Sequence, residues 1–313
     1  MIVARAPATS ANLGPGFDVI GVALDLAYDE VEVEVGEGEG IEIEVEGVEA
    51  HQIPKNPDKN TAGLVAKELL RRSGAESRLK INIRIRKGVP QGVGLGSSAA
   101  SASATAAAVA KALGLQLSPS ELIEVASRGE VASSGVAHAD NVAPSILGGF
   151  AVVLNYDPLN VKRLAPPPHL EFALAIPKNL KKTTEEARAV LPKSISLKEH
   201  VEAMASYSML LIGILNGDVE LIGRAMHSDR IVEVARARLY PGFLKAKETA
   251  IRAGALGATL SGAGPTIIAV TDARKGNSWT IAEAMKRAYE EEGIECSAAV
   301  CRPRAVGVEV FER

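Results

Sequence analysis

Cysteine is nearly absent from the 313 residues, with only Cys296 and Cys301, and aromatic residues make up 4% of the chain. Two cysteines give no disulfide framework, and five residues apart with no histidine beside them they make a poor zinc site. No apolar run approaches the roughly 20 residues that a bilayer span needs. The N-terminus, Met1-Ile2-Val3-Ala4-Arg5, lacks the pattern of a secretory signal. A net charge of −3 gives no general attraction to nucleic acid. The Gly-Lys-Ser/Thr triplet that ends a P-loop is missing as well. These absences point to a cytoplasmic protein that works in a reducing compartment, with neither membrane nor nucleic acid as partner. With aromatics scarce, its core must be filled by Ala, Val, Ile and Leu. The length allows two domains, and 47% hydrophobic with 23% charged residues is ordinary for a globular chain.

The stretch Lys87–Ala100 stands out. Leu79–Arg86 alternates and reads as a half-buried strand, while Ser97–Leu113 is alanine-rich and reads as a helix. A strand, a glycine loop and a helix start therefore follow one another. Such a loop points backbone N–H groups and the positive end of a helix dipole at one spot, which suits phosphate. Gly92, Gly94 and Gly96 would keep side chains away from the anion, and Ser97 and Ser98 would cap the helix or offer hydroxyls to phosphate or its metal ion. A serine-capped turn is the bland alternative. A dinucleotide fingerprint is met only loosely by Gly94-Leu95-Gly96-Ser97-Ser98-Ala99. About twenty residues later come Pro119, Ser120 and Glu121, where that fold wants an acidic strand end.

Pro90-x-x-x-Gly94-Leu95-Gly96-Ser97-Ser98-Ala99-Ala100 resembles the ATP-binding motif of the GHMP small-molecule kinases. A second string, Ala-x-x-Ser10-Ala11-Asn12-Leu13-Gly14-x-Gly16-Phe17-Asp18, is similar to the N-terminal signature of their homoserine kinase branch. Without the resemblance, Pro7–Asp18 reads as a polar loop between Gly and Pro. The resemblance implies an α+β, two-domain GHMP kinase fold. Its N-terminal domain would resemble the ribosomal protein S5 domain 2-like fold, and its C-terminal domain a ferredoxin-like α/β sandwich. The boundary is set by the Pro-rich link, giving an ATP-binding domain at 1–160 and a second domain at 161–313. It also implies transfer of phosphate from ATP to L-homoserine, with Mg²⁺, on the way to threonine; the alternatives are a kinase of the same fold acting on another small alcohol, and a nucleotide-binding regulator without turnover. Dimers are common among such relatives.

Residue roles follow from the resemblance. Asn12 and Asp18 would face the amino acid. Asn60, Lys87 and Pro90, Gln91, Gly92, Val93, Gly94, Leu95, Gly96, Ser97, Ser98, Ala99 and Ala100 would surround the nucleotide. Ser98 and Glu130 would hold Mg²⁺. The passage Glu130–Pro144 crowds together Glu130, His138, Asp140 and Asn141, with His138 and Asn141 set against the substrate. Counting back from Gly148-Gly149 places Asn141 where many relatives carry an aspartate base. Asn cannot take a proton, so the transfer would run by positioning and charge neutralisation. If the count is off by one, Asp140 is the base. In Thr183-Thr184-Glu185-Glu186-Ala187-Arg188, Thr184 reads as a helix cap and, by resemblance, as a catalytic residue. Arg188 and Arg236 would grip the substrate carboxylate. Ser261-Gly262-Ala263-Gly264 reads as a turn between strands and resembles the third family motif, with Ser261, Gly262 and Gly264 near the phosphates.

The remaining elements come from periodicity. Val31–Val35 and Ile41–Val45 alternate with glutamate and read as a hairpin with one wet acidic face. Helices are expected at Thr61–Arg72 with Asn60 as cap, Ser120–Arg128, Leu197–Leu215, Val219–Met226, Gly242–Gly254 and Trp279–Glu292. Strands are expected at Ile2–Ala6, Phe150–Asn155, Phe172–Ile176, Glu295–Cys301 and Gly307–Phe311.

Overall fold

The computed structural model describes residues 1–130 and 138–313, so residues 131–137 of the crowded passage lie outside the described residues. Eleven strands are described: β1 Ile2–Asn12, β2 Gly16–Glu37, β3 Gly40–Gly47, β4 Leu79–Lys87, β5 Phe150–Tyr156, β6 Leu159–Leu164, β7 Leu170–Pro177, β8 Gly257–Leu260, β9 Ile267–Asp272, β10 Cys296–Cys301 and β11 Glu309–Glu312. The described helices are α1 Thr61–Ser73, α2 Ser97–Ala112, α3 Pro119–Gly129, α4 Val142–Leu147, α5 Thr184–Ala189, α6 Leu197–Asn216, α7 Val219–Met226, α8 Val232–Ala237, α9 Phe243–Arg252 and α10 Ser278–Glu290.

The strands form two sheets. One runs β11-β1-β2-β4-β3, with β5 on β2 and β6 on β5, and the other runs β10-β7-β9-β8. Helices α1, α2 and α3 cover one face of the first sheet through Val31, Ile81, Ile83, Ile85, Leu69 and the alanines of α2. Small side chains let α2 sit close to its neighbours, and thirteen of its sixteen residues are buried. A central apolar layer that includes Leu13, Ile20, Phe150, Phe172, Leu210, Met226 and Ile268 joins the two sheets. Helices α9 and α10 close the far face of the second sheet around Tyr240, Phe243, Ile281 and Tyr289.

Three expectations are corrected. First, the two glutamate-rich strands do not form a hairpin. β4 lies between them, antiparallel to β2 and parallel to β3. The reason is charge. In register, Arg84 sits opposite Glu32 on one side and Glu44 on the other, and Arg86 sits opposite Glu30 and Glu46. Ion pairs join Arg84 to Glu32 and Glu44, and Arg86 to Glu30 and Glu46. A direct pairing of β2 with β3 would instead set glutamates against glutamates.

Second, Pro7–Asp18 is not an open loop. β1 continues to Asn12, a tight turn follows, and β2 begins at Gly16. Asn12 and Asp18 both take left-handed backbone angles, φ 69° and 61°, which non-glycine residues rarely adopt. Third, the cap of α5 is Thr183, whose side chain accepts from Glu186 N in a capping box; Thr184 is the first helical residue.

Candidate active site

A cleft of about 430 Å³ opens where the two sheets meet. The loop between β4 and α2 supplies one wall and the β1–β2 turn a second. The segment leading from β7 into α5 forms a third, and residues 262–264 between β8 and β9 the fourth. Gln91, Gly92, Gly94, Leu95, Gly96, Ser97 and Ser98 line it, as do Asn12, Asp18, Glu130, His138, Asp140 and Asn141. Thr184, Arg188, Arg236, Gly262 and Gly264 also face it. Segments far apart in the sequence are thus brought to one cavity.

At the glycine loop, α2 starts at Gly96 without any side-chain cap. Its first-turn N–H groups and dipole therefore present at the cleft. The two serines are not caps. Ser97 Oγ donates to Val89 O at 2.8 Å, and Ser98 Oγ donates to Glu130 Oε2 at 2.9 Å. The glycines divide by job. A Cβ on Gly94 would lie 2.1 Å from Ser261 O, and one on Gly96 would lie 1.9 Å from Thr9 Oγ1. Both are glycine because protein, rather than ligand, presses on them. Only Gly92, among the three, has nothing nearer than the Lys181 side chain at 3.4 Å.

The second glycine loop clamps the first. Ser261 Oγ donates to Gly94 O at 2.7 Å, and Thr266 N donates to Val93 O at 3.3 Å. Asn12 ties the β1–β2 turn into the same clamp: its Nδ2 donates to Gly262 O at 2.9 Å and its Oδ1 accepts from Asp18 N at 3.1 Å. Pro90, Val93, Ala99, Ala100 and Ser261 support this wall without lining the cleft. Asn60 and Lys87 also stand back from it. Asn60 caps α1 by accepting from Ala62 N at 2.8 Å. Lys87 is buried against Asp29, and its Nζ also donates to Ser97 O and Ser101 Oγ at 2.9 Å. That node anchors both ends of the glycine loop, since Asp29 Oδ1 accepts from Gly88 N at 3.0 Å and Val89 N at 3.1 Å.

The other end of the cleft is charged. Arg188 Nη2 lies 2.5 Å from Asp18 Oδ1, and His138 Nδ1 lies 4.0 Å from Asp18 Oδ2. The Arg188 and Arg236 guanidinium groups both lie over the Phe17 ring, at 5.0 and 5.3 Å. Arg236 also donates to Ala187 O and Gly262 O at 3.1 Å. Burial lowers its pKa, and the nearby Arg188 adds to that. Burial likewise lowers the pKa of His138; Asp18 opposes this and Arg188 reinforces it. Asn141 Oδ1 accepts from Thr9 Oγ1 at 2.8 Å, which leaves its amide N–H₂ as the group to offer the cleft.

Two carboxyls are pushed up to about 7. For Glu130 the largest cause is burial, opposed by the Ser98 hydrogen bond and reinforced by Asp140. For Asp140 it is also burial, reinforced by Asp18 and opposed by Arg188. Clusters of raised carboxyls in a cleft mark a site built to receive positive charge.

Sequence reasoning missed Lys181 and Glu49. Lys181 pairs with Glu49 Oε1 beside Gly92, and Glu49 Oε2 accepts from Gln91 N at 3.0 Å. Burial raises the Glu49 pKa, but Lys181 and the Gln91 N–H outweigh it and hold it below the usual value. The bridge stands a lysine over the open face of the glycine loop. Neither residue belongs to a motif, so only their distant contact reveals them.

Residues 60–149 match the GHMP kinases N terminal domain, and residues 210–291 the GHMP kinases C terminal domain. The homoserine kinase of Methanococcus vannielii is 42% identical over 265 residues, covering 85% of this chain and 86% of that protein. The homoserine kinase of Thermoplasma volcanium is 39% identical over 294 residues, covering 94% and 91%. The chain belongs to the homoserine kinase family of GHMP kinases. A crystal structure of homoserine kinase from Cytophaga hutchinsonii superposes with a TM-score of 0.91 at 38% identity, covering 99% of this chain and 97% of that one. The two-domain α+β kinase fold is thereby established for this homoserine kinase family member, and no helix among its described residues is long and apolar enough to cross a membrane.

Proposed function

We infer that the chain transfers the γ-phosphoryl group of ATP to the hydroxyl of L-homoserine, giving ADP and O-phospho-L-homoserine, a step toward threonine. The observation that carries the reading is the polarity of one cleft. An uncapped helix start and glycine loop stand at one end, and two arginines with an aspartate stand at the other. The first suits a triphosphate, and the second suits the carboxylate and ammonium of an amino acid.

Ser98 and Glu130 fit Mg²⁺. They are hard oxygen donors, hydrogen-bonded to each other beside the glycine loop, and the raised Glu130 carboxyl is relieved by a cation. No group of three or more candidate metal ligands occurs among the described residues. That suits an ion that takes most of its oxygens from phosphate and water. When bound, Mg²⁺ neutralises charge on the transferring phosphate.

The chain's own residues do the rest. The glycine-loop amides orient the triphosphate, and Lys181 stands by its open face. Arg188 and Arg236 fix the substrate carboxylate. Asn141, its amide oriented by Thr9, donates to the acceptor oxygen and does not remove its proton. Positioning and charge neutralisation carry a loose phosphoryl transfer without an early base, and the hydroxyl proton leaves late, to an oxygen of the transferred phosphoryl group and then to water. His138 and Asp18 bound the substrate, and Thr184 borders it from α5. The two buried, free cysteines agree with a cytoplasmic setting.

The test is ADP release with Mg-ATP and L-homoserine, mevalonate, galactose, shikimate or no acceptor. Release with homoserine alone is expected. Release with another alcohol and not with homoserine would overturn the substrate and keep the kinase.

A further inference from the structure

Asp18 is held in a backbone conformation that its side chain disfavours. Its φ is 61°, and with Asn12 and Leu13 it makes three of the four non-glycine residues that take left-handed angles among the described residues. All three lie where β1 turns into β2. Such angles persist only where neighbours hold them. At Asp18 two side chains do so. Asn12 Oδ1 accepts from its N–H, and the hydroxyl of Tyr156, 138 residues away at the end of β5, donates to its carbonyl oxygen. The same hydroxyl receives a hydrogen bond from the Ala139 N–H. Ala139 follows His138, whose Nδ1 lies 4.0 Å from Asp18 Oδ2. One phenol therefore joins the two chain segments that bring Asp18 and His138 together. Burial raises its pKa; Asp140 and Asp18 add to the rise, and the Ala139 N–H and Arg188 oppose it. The hydroxyl thus stays protonated, and able to donate, through the neutral range. Tyr156 is not part of the cleft wall. It borders a separate hollow beside Asp157, Pro158 and Leu159, so whatever it does at the site it does through other residues.

We propose that Tyr156 is a positioning residue for the acceptor end of the cleft: its hydroxyl fixes the Asp18 backbone, and through it the carboxylate that orients Arg188. This rests on the homoserine reading. Arg188 Nη2 lies 2.5 Å from Asp18 Oδ1, so the place of Asp18 decides where the guanidinium fork waits for a substrate carboxylate. Without the hydroxyl, the Asp18 carbonyl loses its partner and the turn relaxes toward ordinary backbone angles. The fork then has to be realigned by the substrate itself, at a cost in affinity.

The experiment is Tyr156→Phe, which removes the hydroxyl and keeps the ring. The residue is 44% exposed, so the change leaves the core untouched. The Kd for L-homoserine is read by titration calorimetry, which needs no turnover, and kcat with both KM values by ADP release. The homoserine Kd and KM should rise about five- to tenfold, while kcat and the KM for ATP stay within about twofold. The same change is then made in Asp18→Asn, chosen because asparagine tolerates the left-handed angle. Where the carboxylate is already gone, Tyr156→Phe should weaken homoserine by less than about twofold more. If Asp18→Asn binds too weakly to titrate, the single variant decides by itself. A merely structural role would lower the melting temperature and leave homoserine affinity unchanged, or would weaken ATP and homoserine alike; either result overturns the proposal. So does a full loss that persists in Asp18→Asn, which would mean that Tyr156 acts through another group. A wild-type enzyme that neither binds nor phosphorylates homoserine would instead sink the functional reading, and this shows before any variant is made.

Discussion

The two ends of the cleft are built from different materials. The end proposed for the nucleotide is mostly backbone: three glycines at positive φ, a helix start with no side-chain cap, and a second loop pressed on the first. The end proposed for the acceptor is mostly side chain: Asp18, Arg188, Arg236, His138 and Asp140, several of them paired with each other. Backbone donors are not deleted by side-chain truncation, only by proline, and they serve any triphosphate. Side chains can be deleted one at a time, and they define one acceptor. The acceptor end should therefore be fragile to single side-chain deletions, whereas the nucleotide end should be fragile at the packed glycines Gly94 and Gly96 and tolerant of side-chain deletions around them.

Glu130 sits where the two ends meet, and its loss should be the largest effect. Glu130→Ala should lower kcat by about 10³-fold or more, on the order of 4 kcal/mol, with little change in homoserine KM. Initial rates under saturating Mg-ATP check this. Next come the arginines. Arg188→Ala and Arg236→Ala should each raise homoserine KM about 30- to 100-fold while leaving the KM for ATP within about threefold. An unchanged homoserine KM in both would remove the carboxylate clamp and the comparison with it.

Asp140 gives a sharper test because it titrates. Burial lifts its carboxyl to about 7 from an ordinary 3.8. Between those values the folded protein holds a proton that the unfolded chain has released. Stability from this group is thus highest below the unfolded value, falls as pH rises through the window, and stays low above it. Asp140→Asn cannot ionise. Without substrate it should be more stable than wild type at pH 8, by on the order of 4 kcal/mol, and close to it at pH 4. Thermal melts at the two pH values read the difference; a gap that grew toward low pH would contradict a buried carboxyl of this kind.

The contrast also explains what could be read from the sequence. The strand–glycine loop–helix unit is contiguous, so Gly92, Gly94, Gly96, Ser97 and Ser98 announced themselves, though not that Gly94 and Gly96 answer to Ser261 and Thr9. The longer helices followed from periodicity and caps because both are local, whereas the six-residue helices Val142–Leu147 and Val232–Ala237 were too short to show a period. That Asp18, His138, Arg188 and Arg236 share one cleft could be expected only through the family resemblance, since they come from four separate segments. Glu49 and Lys181 belong to no motif, and their pairing depends on a contact 132 residues apart. The β2–β3 hairpin failed for a related reason. Alternation fixes which face is wet but not which strand lies beside which, and the glutamates of β2 and β3 found arginines on β4, about 40 residues later than the nearer of the two strands.

Lys181 offers the smallest effect and the most direct way to break the comparison. Its side chain supplies the atoms nearest the open face of Gly92 among the described residues, and Glu49 holds it there. If the nucleotide end truly relies on backbone, a single ammonium adds little to amides and a helix dipole already aimed at the phosphates. Its side chain is 29% exposed, so water screens what it contributes. Lys181→Met should raise the KM for ATP about three- to tenfold, leave homoserine KM unchanged, and be largely restored by Lys181→Arg. A loss for ATP as large as the arginine variants show for homoserine would mean that this end too hangs on one side chain. The division between a backbone-built end and a side-chain-built end would then fail, and Lys181 with Glu49 would have to be counted among the principal phosphate-binding groups.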